Sequence, residues 1–424
     1  MGRDSNPEVV GTSYRGIGAD SAHLEVALDK ISIRSIALYG RFMERLRSSW
    51  WVWVRLALFL AIAVWMMKVS AHDFRAQWRH EWIKPSPSFS GFRRLSEYHS
   101  GINLTNVNTD VYFFKGEEPG GTVLILGGTH PCEPAGYMAA IMVMENLHIQ
   151  KGKIIVIPLA NASGFTATEP QEAFPQYFAI AIPGGGYRFF RMGSRFTNVL
   201  DGWPDPEVYL HYPSGQKLSG NETRNLNRAY PGRPDGSMTE QLAYAITQLV
   251  LREKVDLVID LHEAAPEYPV VNAIVFHERA KDLAAWATLT LQAEGIDISL
   301  EPSPPNFHGL SHRELGDATP TMAVLLETAG VIQGRLRGRT DARLIVKGDD
   351  PYYYKAAQMG YVRVPYPEGG IPLEVRVGRH MSGVQALIDA LGELYPEKQV
   401  KISGLPRYTN VVKNGVGAYL ASRN

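Results

Sequence analysis

The chain has 424 residues, with 43 Lys+Arg against 43 Asp+Glu, 45% hydrophobic and 20% charged residues, and one Cys. A normal apolar fraction without net charge excludes a disordered chain, and one Cys excludes an intrachain disulfide scaffold. The charge balance argues against nucleic-acid binding through bulk positive charge, and a single long apolar run excludes a multi-span membrane protein.

That run reads WWVWVRLALFLAIAVWMM from Trp50 to Met67, unbroken by charge from Leu56 onward. It is short for a spanning helix, which needs about 20 apolar residues, and fits a signal-peptide core of about 7–15. Arg41, Arg45, Arg47 and Arg55 precede the core, and Val69-Ser70-Ala71 follows it with small residues suited to a signal peptidase. Two readings result: a cleaved signal peptide, or a signal anchor with its N-terminus in the cytoplasm, as the flanking arginines dictate. The arginines and tryptophans around the run weigh against a buried core helix. Residues 1–49 form a polar leader, and Met43 is an alternative start. Residues 50–71 are the export segment, and 72–94, with Pro85 and Pro87, are a linker. The chain after residue 71 is expected outside the cytoplasm (the periplasm, in a bacterium), released or held at the inner membrane.

Beyond the linker, Thr122–Leu126 (TVLIL) and Ile154–Leu159 (IIVIPL) read as buried strands. Pro134 to Leu147 between them reads as a helix with Pro in its first turn and Met138, Ile141 and Met142 on one face. This is a βαβ unit with a right-handed parallel crossover. Residues 165–223, with PGGGYRFF and WPDPE, read as a long insertion of loops. Ser237 and Glu240 form a capping box before the helix Gln241–Arg252. Val255–Leu261, Val271–Phe276 and Met322–Leu326 are further strands, and Val377–Leu394 is a late amphipathic helix. The expected fold is α/β: a three-layer α/β/α domain over 95–395 with a mixed, mostly parallel central sheet, and a C-terminal tail, 396–424, packed on it.

Several strands run into residues of metal-binding type. The first leads into Gly127-Gly128-Thr129-His130-Pro131-Cys132-Glu133, where His130 and Glu133 are three apart on a turn and can face one point. Another ends in Asp260-Leu261-His262-Glu263, and a later one in Leu326-Glu327-Thr328. Sites in open α/β sheets form at the carboxyl ends of strands. Two His and one Glu with an open fourth position describe a hydrolytic zinc site, and a further carboxylate off the metal can serve as general base. His262-Glu263 is not the helical HExxH motif, because Ala264-Ala265-Pro266 comes next and the second His is missing. Cys132 points away from the face shared by His130 and Glu133 and reads as a packing residue. In Arg224-Asn225-Leu226-Asn227-Arg228-Ala229-Tyr230-Pro231-Gly232, an Asn-Arg pair can grip a carboxylate.

The ordered set of GGxHxxE, LNRxYPG, DLH and a strand ending in Glu, over about residues 95–395, resembles the zinc carboxypeptidases and their deacylase relatives, the succinylglutamate desuccinylase/aspartoacylase group. The resemblance implies one Zn2+ held by His130, Glu133 and His262, with Glu327 as the catalytic base. It implies that Asn227 and Arg228 bind the substrate carboxylate. Arg224 is the candidate for the arginine that polarises the scissile carbonyl, in competition with Arg188, Arg191 and Arg195. Pro131 stands where the family usually has Gly, and Asn161-Ala162-Ser163-Gly164 where it often has Asn-Pro; these touch the shape of the pocket, not the metal.

The expected function is a zinc-dependent hydrolase cutting an amide bond next to a free carboxylate, in a peptide or an N-acyl amino acid. Carboxypeptidase and deacylase stay open alternatives. A different class, an exported non-catalytic binding module that keeps the pocket, predicts binding without hydrolysis. The single membrane contact expected is the N-terminal segment, if uncleaved, and no nucleic-acid partner is expected.

Overall fold

The computed structural model describes residues 34–44, 50–168 and 175–422. Most of the polar leader, with Arg45 and Arg47, and residues 169–174 of the insertion lie outside them. The chain divides into two compact units, Met1–His72 and Asp73–Asn424.

In the first unit, residues 34–44 form helix α1. Helix α2 (Trp50–Ala76) begins there and has 27 residues. It is longer than the uncharged run that the sequence marks, because Lys68, Ser70 and His72 continue the helix without interrupting its hydrogen bonding. At 1.5 Å per residue it reaches about 40 Å. By length and composition it can cross a membrane. Trp50, Trp53, Leu58, Phe59 and Trp65 are all exposed, so it is not a core helix.

The second unit carries, in chain order, β1 (Phe89–Arg94), β2 (Asp110–Lys115), β3 (Glu118–Leu126), α3 (Pro134–Asn146), β4 (His148–Ile157), β5 (Tyr177–Ala181), β6 (Tyr187–Arg191) and α4 (Val199–Gly202). Next come β7 (Val208–Leu210), β8 (Lys217–Ser219), α5 (Met238–Arg252), β9 (Leu257–Ala264), β10 (Ala273–Phe276), α6 (Lys281–Ala293), β11 (Ser299–Pro302), α7 (Ser311–Ala318) and β12 (Met322–Ala329). Last are α8 (Ala342–Lys347), α9 (Pro351–Gln358), α10 (Leu373–Leu394), β13 (Lys401–Ser403) and α11 (Tyr408–Asn414). The central sheet has the order β1-β2-β4-β3-β9-β12-β10-β11, with β13 on β4. Its centre, β4-β3-β9-β12, is parallel; β1, β2 and β13 on one side and the β12–β10 pair on the other are antiparallel.

Period-2 alternation sorts the strands onto two cores. Val123, Ile125, Ile154, Val156, Leu257 and Ile259 face α3, α6 and α10. Leu124, Leu126, Ile155, Ile157 and Val258 face α5 and α7. The result is three-layer α/β/α. Helix α3 departs from the one-faced amphipathic pattern: Pro134 to Met144 are buried throughout, because it is enclosed between β9 and α10. The capping box on α5 is present, Glu240 N donating to Ser237 Oγ at 3.3 Å and Ser237 N to Glu240 Oε2 at 2.8 Å.

The insertion is not loops alone. It holds two small antiparallel sheets, β5–β6 and β7–β8. The β7–β8 ribbon buries little of either face, whereas β5–β6 turns Phe178, Ile180, Arg188 and Phe190 inward. Phe178 and Phe190 reach the main core.

Candidate metal centre

The carboxyl ends of β3, β9 and β12 lie side by side. Leu126 is in register with Asp260, and Glu327 with His262, so a parallel pairing alone puts the base candidate beside a ligand candidate. After β3 the chain turns through Gly128 at φ +68°, a left-handed conformation that suits Gly, and reaches His130. Glu133 is the N-cap of α3. That helix packs hard against β9: a Cβ at Gly136 would stand 2.2 Å from the Leu261 carbonyl oxygen. The close approach brings Glu133 within reach of β9, where the Glu263 N–H donates to Glu133 Oε2 at 2.9 Å.

His130, Glu133 and His262 are all buried, and one donor atom from each lies within 4.8 Å of the others. His130 Nδ1 is 2.6 Å from Glu133 Oε1, and His262 Nδ1 is 2.9 Å from Glu133 Oε2. His130 is hydrogen-bonded from behind, and His262 is ion-paired there. His130 Nε2 meets Asn225 Oδ1 at 2.9 Å. His262 Nε2 lies 2.9 Å from Asp260 Oδ2, and Asp260 accepts from Thr129 Oγ1 at 2.8 Å and Ser311 Oγ at 2.6 Å. An acceptor on the far nitrogen is what orients histidine ligands and fixes their tautomer.

The charges fit that reading. Burial, then the Arg195 cation, lower the His130 pKa to about 4, which favours the neutral ring with a lone pair on one nitrogen. Burial opposes ionised Glu133, but the two imidazoles outweigh it and hold its carboxyl well below the usual range. Burial likewise opposes a charged His262, and Asp260 and Glu133 overcome it, raising its pKa. Three buried donors within 4.8 Å of one another are what a divalent cation would satisfy at once. The residues therefore fit a zinc-class ion, with two N donors and one O donor.

Glu327 is next to this cluster and not in it. Its Oε2 is buried without a hydrogen-bond partner among the described residues. Burial raises its pKa to about 8, His262 pulling down and Glu133 pushing further up. Asn227 Oδ1 accepts from Ser311 N at 2.8 Å. The Arg228 guanidinium lies 4.9 Å over the Phe307 ring. Burial and then Arg195 lower the pKa of Arg228 to about 10, with Glu222, Glu327 and Glu133 acting the other way, so it shares the field of the cluster.

Arg224 is not brought to the cluster. Asp205 binds its Nε at 2.6 Å and Nη2 at 2.9 Å, the Thr197 carbonyl takes Nη1, and Phe196 stacks on it. Arg188 is committed to Glu145 and the Trp82 carbonyl, and Arg191 to Glu81 and the Gln77 carbonyl. Arg195 is the arginine of the insertion at the cluster: its Nη1 is 3.4 Å from Glu133 Oε1 and also meets Gln333. Cys132 is 1% exposed and packs in the core, burial raises its thiol pKa, and it is not among the donors that converge with His130, Glu133 and His262.

Sequence reasoning left Asp260, Asn225 and Gln333 without roles. Asp260 had a signal, since positions i and i+2 of a strand share a face and it precedes His262 by two. Asn225 acts from irregular turns, and Gln333, which meets Glu133 from the loop after β12, has no periodic pattern.

A family model described as the succinylglutamate desuccinylase/aspartoacylase catalytic domain matches residues 119–343. The chain belongs to this family. Among curated proteins, the N-alpha-acetyl-L-2,4-diaminobutyric acid deacetylase of Halomonas elongata is 27% identical over 165 residues, 38% of this chain and 34% of that protein. The match thus spans about a third of that relative's length. Among solved structures, a succinylglutamate desuccinylase/aspartoacylase from Rhodobacter sphaeroides is similar with a TM-score of 0.39 at 17% identity, covering 73% of this chain and 67% of the other. Tripeptide-bound cell shape determinant Csd4 from Helicobacter pylori has a TM-score of 0.42 at 12% identity, covering 72% and 59%.

Proposed function

We propose that this member of the family is a zinc-dependent amide hydrolase that acts next to a free carboxylate, with N-acyl amino acids as the first substrate class to test. The observation that carries the proposal is the convergence of His130, Glu133 and His262 with Glu327 in register beside them, its Oε2 without a hydrogen-bond partner among the described residues. Family membership and the deacetylase relative favour deacylation over carboxypeptidase action.

His130, Glu133 and His262 would hold the ion, which when bound supplies Lewis acidity, drawing electron density from a carbonyl and acidifying water. Glu327 accepts a proton from the attacking water as its oxygen adds to the carbonyl carbon. As the C–N bond breaks, Glu327 returns that proton to the leaving amine. A carboxyl with a raised pKa is suited to both halves of this exchange. Arg195, the insertion's arginine at the cluster, is aimed at the carbonyl oxygen as charge develops on it. Asn227 and Arg228 hold the substrate carboxylate and so select the bond that is cut.

The length and exposed apolar surface of α2 support a signal anchor that leaves the catalytic unit outside the cytoplasm. Fractionation and protease protection of intact cells test the location. Function is tested by incubating zinc-loaded protein with N-acetyl amino acids, N-succinyl amino acids and peptides with free C-termini. Zinc-dependent release of amine from the N-acyl set is expected. Hydrolysis of peptides alone would assign carboxypeptidase action, and ligand binding without turnover would contradict the enzyme reading.

A further inference from the structure

A second group of metal-type side chains lies outside the cluster described above. His211 directly follows β7, His308 lies in the loop between β11 and α7, and Glu314 is in α7. One ligand atom from each lies within 4.8 Å of the other two. The two imidazoles stack, with ring centroids 5.8 Å apart and planes at 17°. His211 and Glu314 are buried.

Hydrogen bonding assigns the protons. The Tyr230 carbonyl can only accept, so His211 Nε2, 2.6 Å away, carries the hydrogen. His211 Nδ1 therefore keeps its lone pair and receives the Ser214 hydroxyl at 2.7 Å. Glu314 Oε1 accepts from His308 Nδ1 at 2.8 Å and from the Gly309 N–H at 3.0 Å. A far N–H tied to a carbonyl, which leaves the other ring nitrogen its lone pair, is the arrangement that orients a metal-bound histidine. The Gln216 side chain brackets His308, accepting from its N–H at 3.0 Å and donating to its carbonyl at 3.2 Å, so the turn after β7 and the loop before α7 are held together.

This loop forms part of the wall behind Arg228. Gly309 sits at φ +89°, and a Cβ there would stand 2.2 Å from the Arg228 carbonyl oxygen. Two residues before it stands Phe307, whose ring lies beneath the guanidinium, and two residues after it Ser311, whose N–H donates to Asn227.

We propose that His211, His308 and Glu314 form a second, structural site for a divalent cation of the zinc class, which stiffens the segment bearing Asn227 and Arg228. Two imidazoles and a carboxylate give this ion the same N2O donor set as the first cluster, with the Ser214 hydroxyl or water to complete it. On binding, the ion replaces the Ser214 hydrogen at His211 Nδ1. It also replaces the hydrogen between His308 Nδ1 and Glu314, and that proton moves to His308 Nε2.

The test is zinc stoichiometry by elemental analysis of the full-length chain in detergent, after equilibration with zinc and removal of free ion. Wild type should hold two equivalents, and His308→Ala and Glu133→Gln one each. Glu314→Gln keeps an acceptor for the Gly309 N–H, so it separates ligation from folding, and it should also hold one. The difference between wild type and the His308 and Glu314 variants reads this site alone, while Glu133→Gln reads the catalytic cluster, so either can fail without the other. Equal zinc content in wild type, His308→Ala and Glu314→Gln would overturn the proposal.

Discussion

The His130–Glu133–His262 cluster and the proposed substrate wall around it are built differently. The cluster stands on the ends of β3, β9 and β12, where register decides which side chains meet, and both imidazoles are backed by a buried acceptor. The wall is built from turns and insertions: short helical turns carry Arg224 to Arg228, a stretch between two hairpins carries Arg195, and a loop carries Phe307. Regular elements turn sequence spacing into geometry. Irregular ones leave the choice among several arginines to tertiary packing.

The sharpest way to break the comparison is at the strand ends. His262→Ala or Glu133→Gln should abolish zinc retention at the cluster and, with it, hydrolysis, as read by metal content and amine release. Retained zinc at that cluster in either variant would show that the strand-end geometry is not the binding site.

The wall is tested by setting two arginines against each other. Arg195→Ala should lower kcat by about 10²–10³, the cost of losing one donor to a developing oxyanion. Arg224→Ala should instead lower the melting temperature and leave kcat of the folded fraction unchanged, because it strands Asp205. The opposite pattern would return the catalytic role to Arg224.

Smaller effects are expected behind the imidazoles. Asn225→Ala and Asp260→Asn should each weaken zinc affinity by about 10–100-fold without changing the ligand set. Equal losses would show that the turn supports its histidine as firmly as the strand does.

A further effect is on pH-dependent stability. The carboxyl of Glu327 has its pKa raised from 4.5 to about 8 in the folded, metal-free chain. A raised folded-state pKa contributes stability that is complete below the unfolded value and is lost as pH rises through the folded one. Metal-free Glu327→Gln should therefore melt higher than wild type above about pH 8 and at the same temperature near pH 4, as followed by circular dichroism.

The same contrast explains what could be read in advance. The βαβ unit, the α5 capping box and the approach of His130, Glu133, His262 and Glu327 all derive from strand runs and short offsets, and all are present in the fold. Asp260 was legible through its two-residue offset from His262. The placement of Arg195, not Arg224, at the cluster was not, because it depends on Asp205, 19 residues away across the insertion, which binds Arg224. Nor was the enclosure of α3, which results from the late helix α10 covering its second side.

The most direct test of the central claim is Glu327→Gln, assayed for zinc content and for turnover of N-acetyl amino acids. Glu327 lies beside the cluster without holding the ion, so the variant should retain wild-type zinc and substrate binding and lose about 10²–10⁴ in kcat, the usual contribution of a general base. Unchanged turnover at full zinc occupancy would contradict the account.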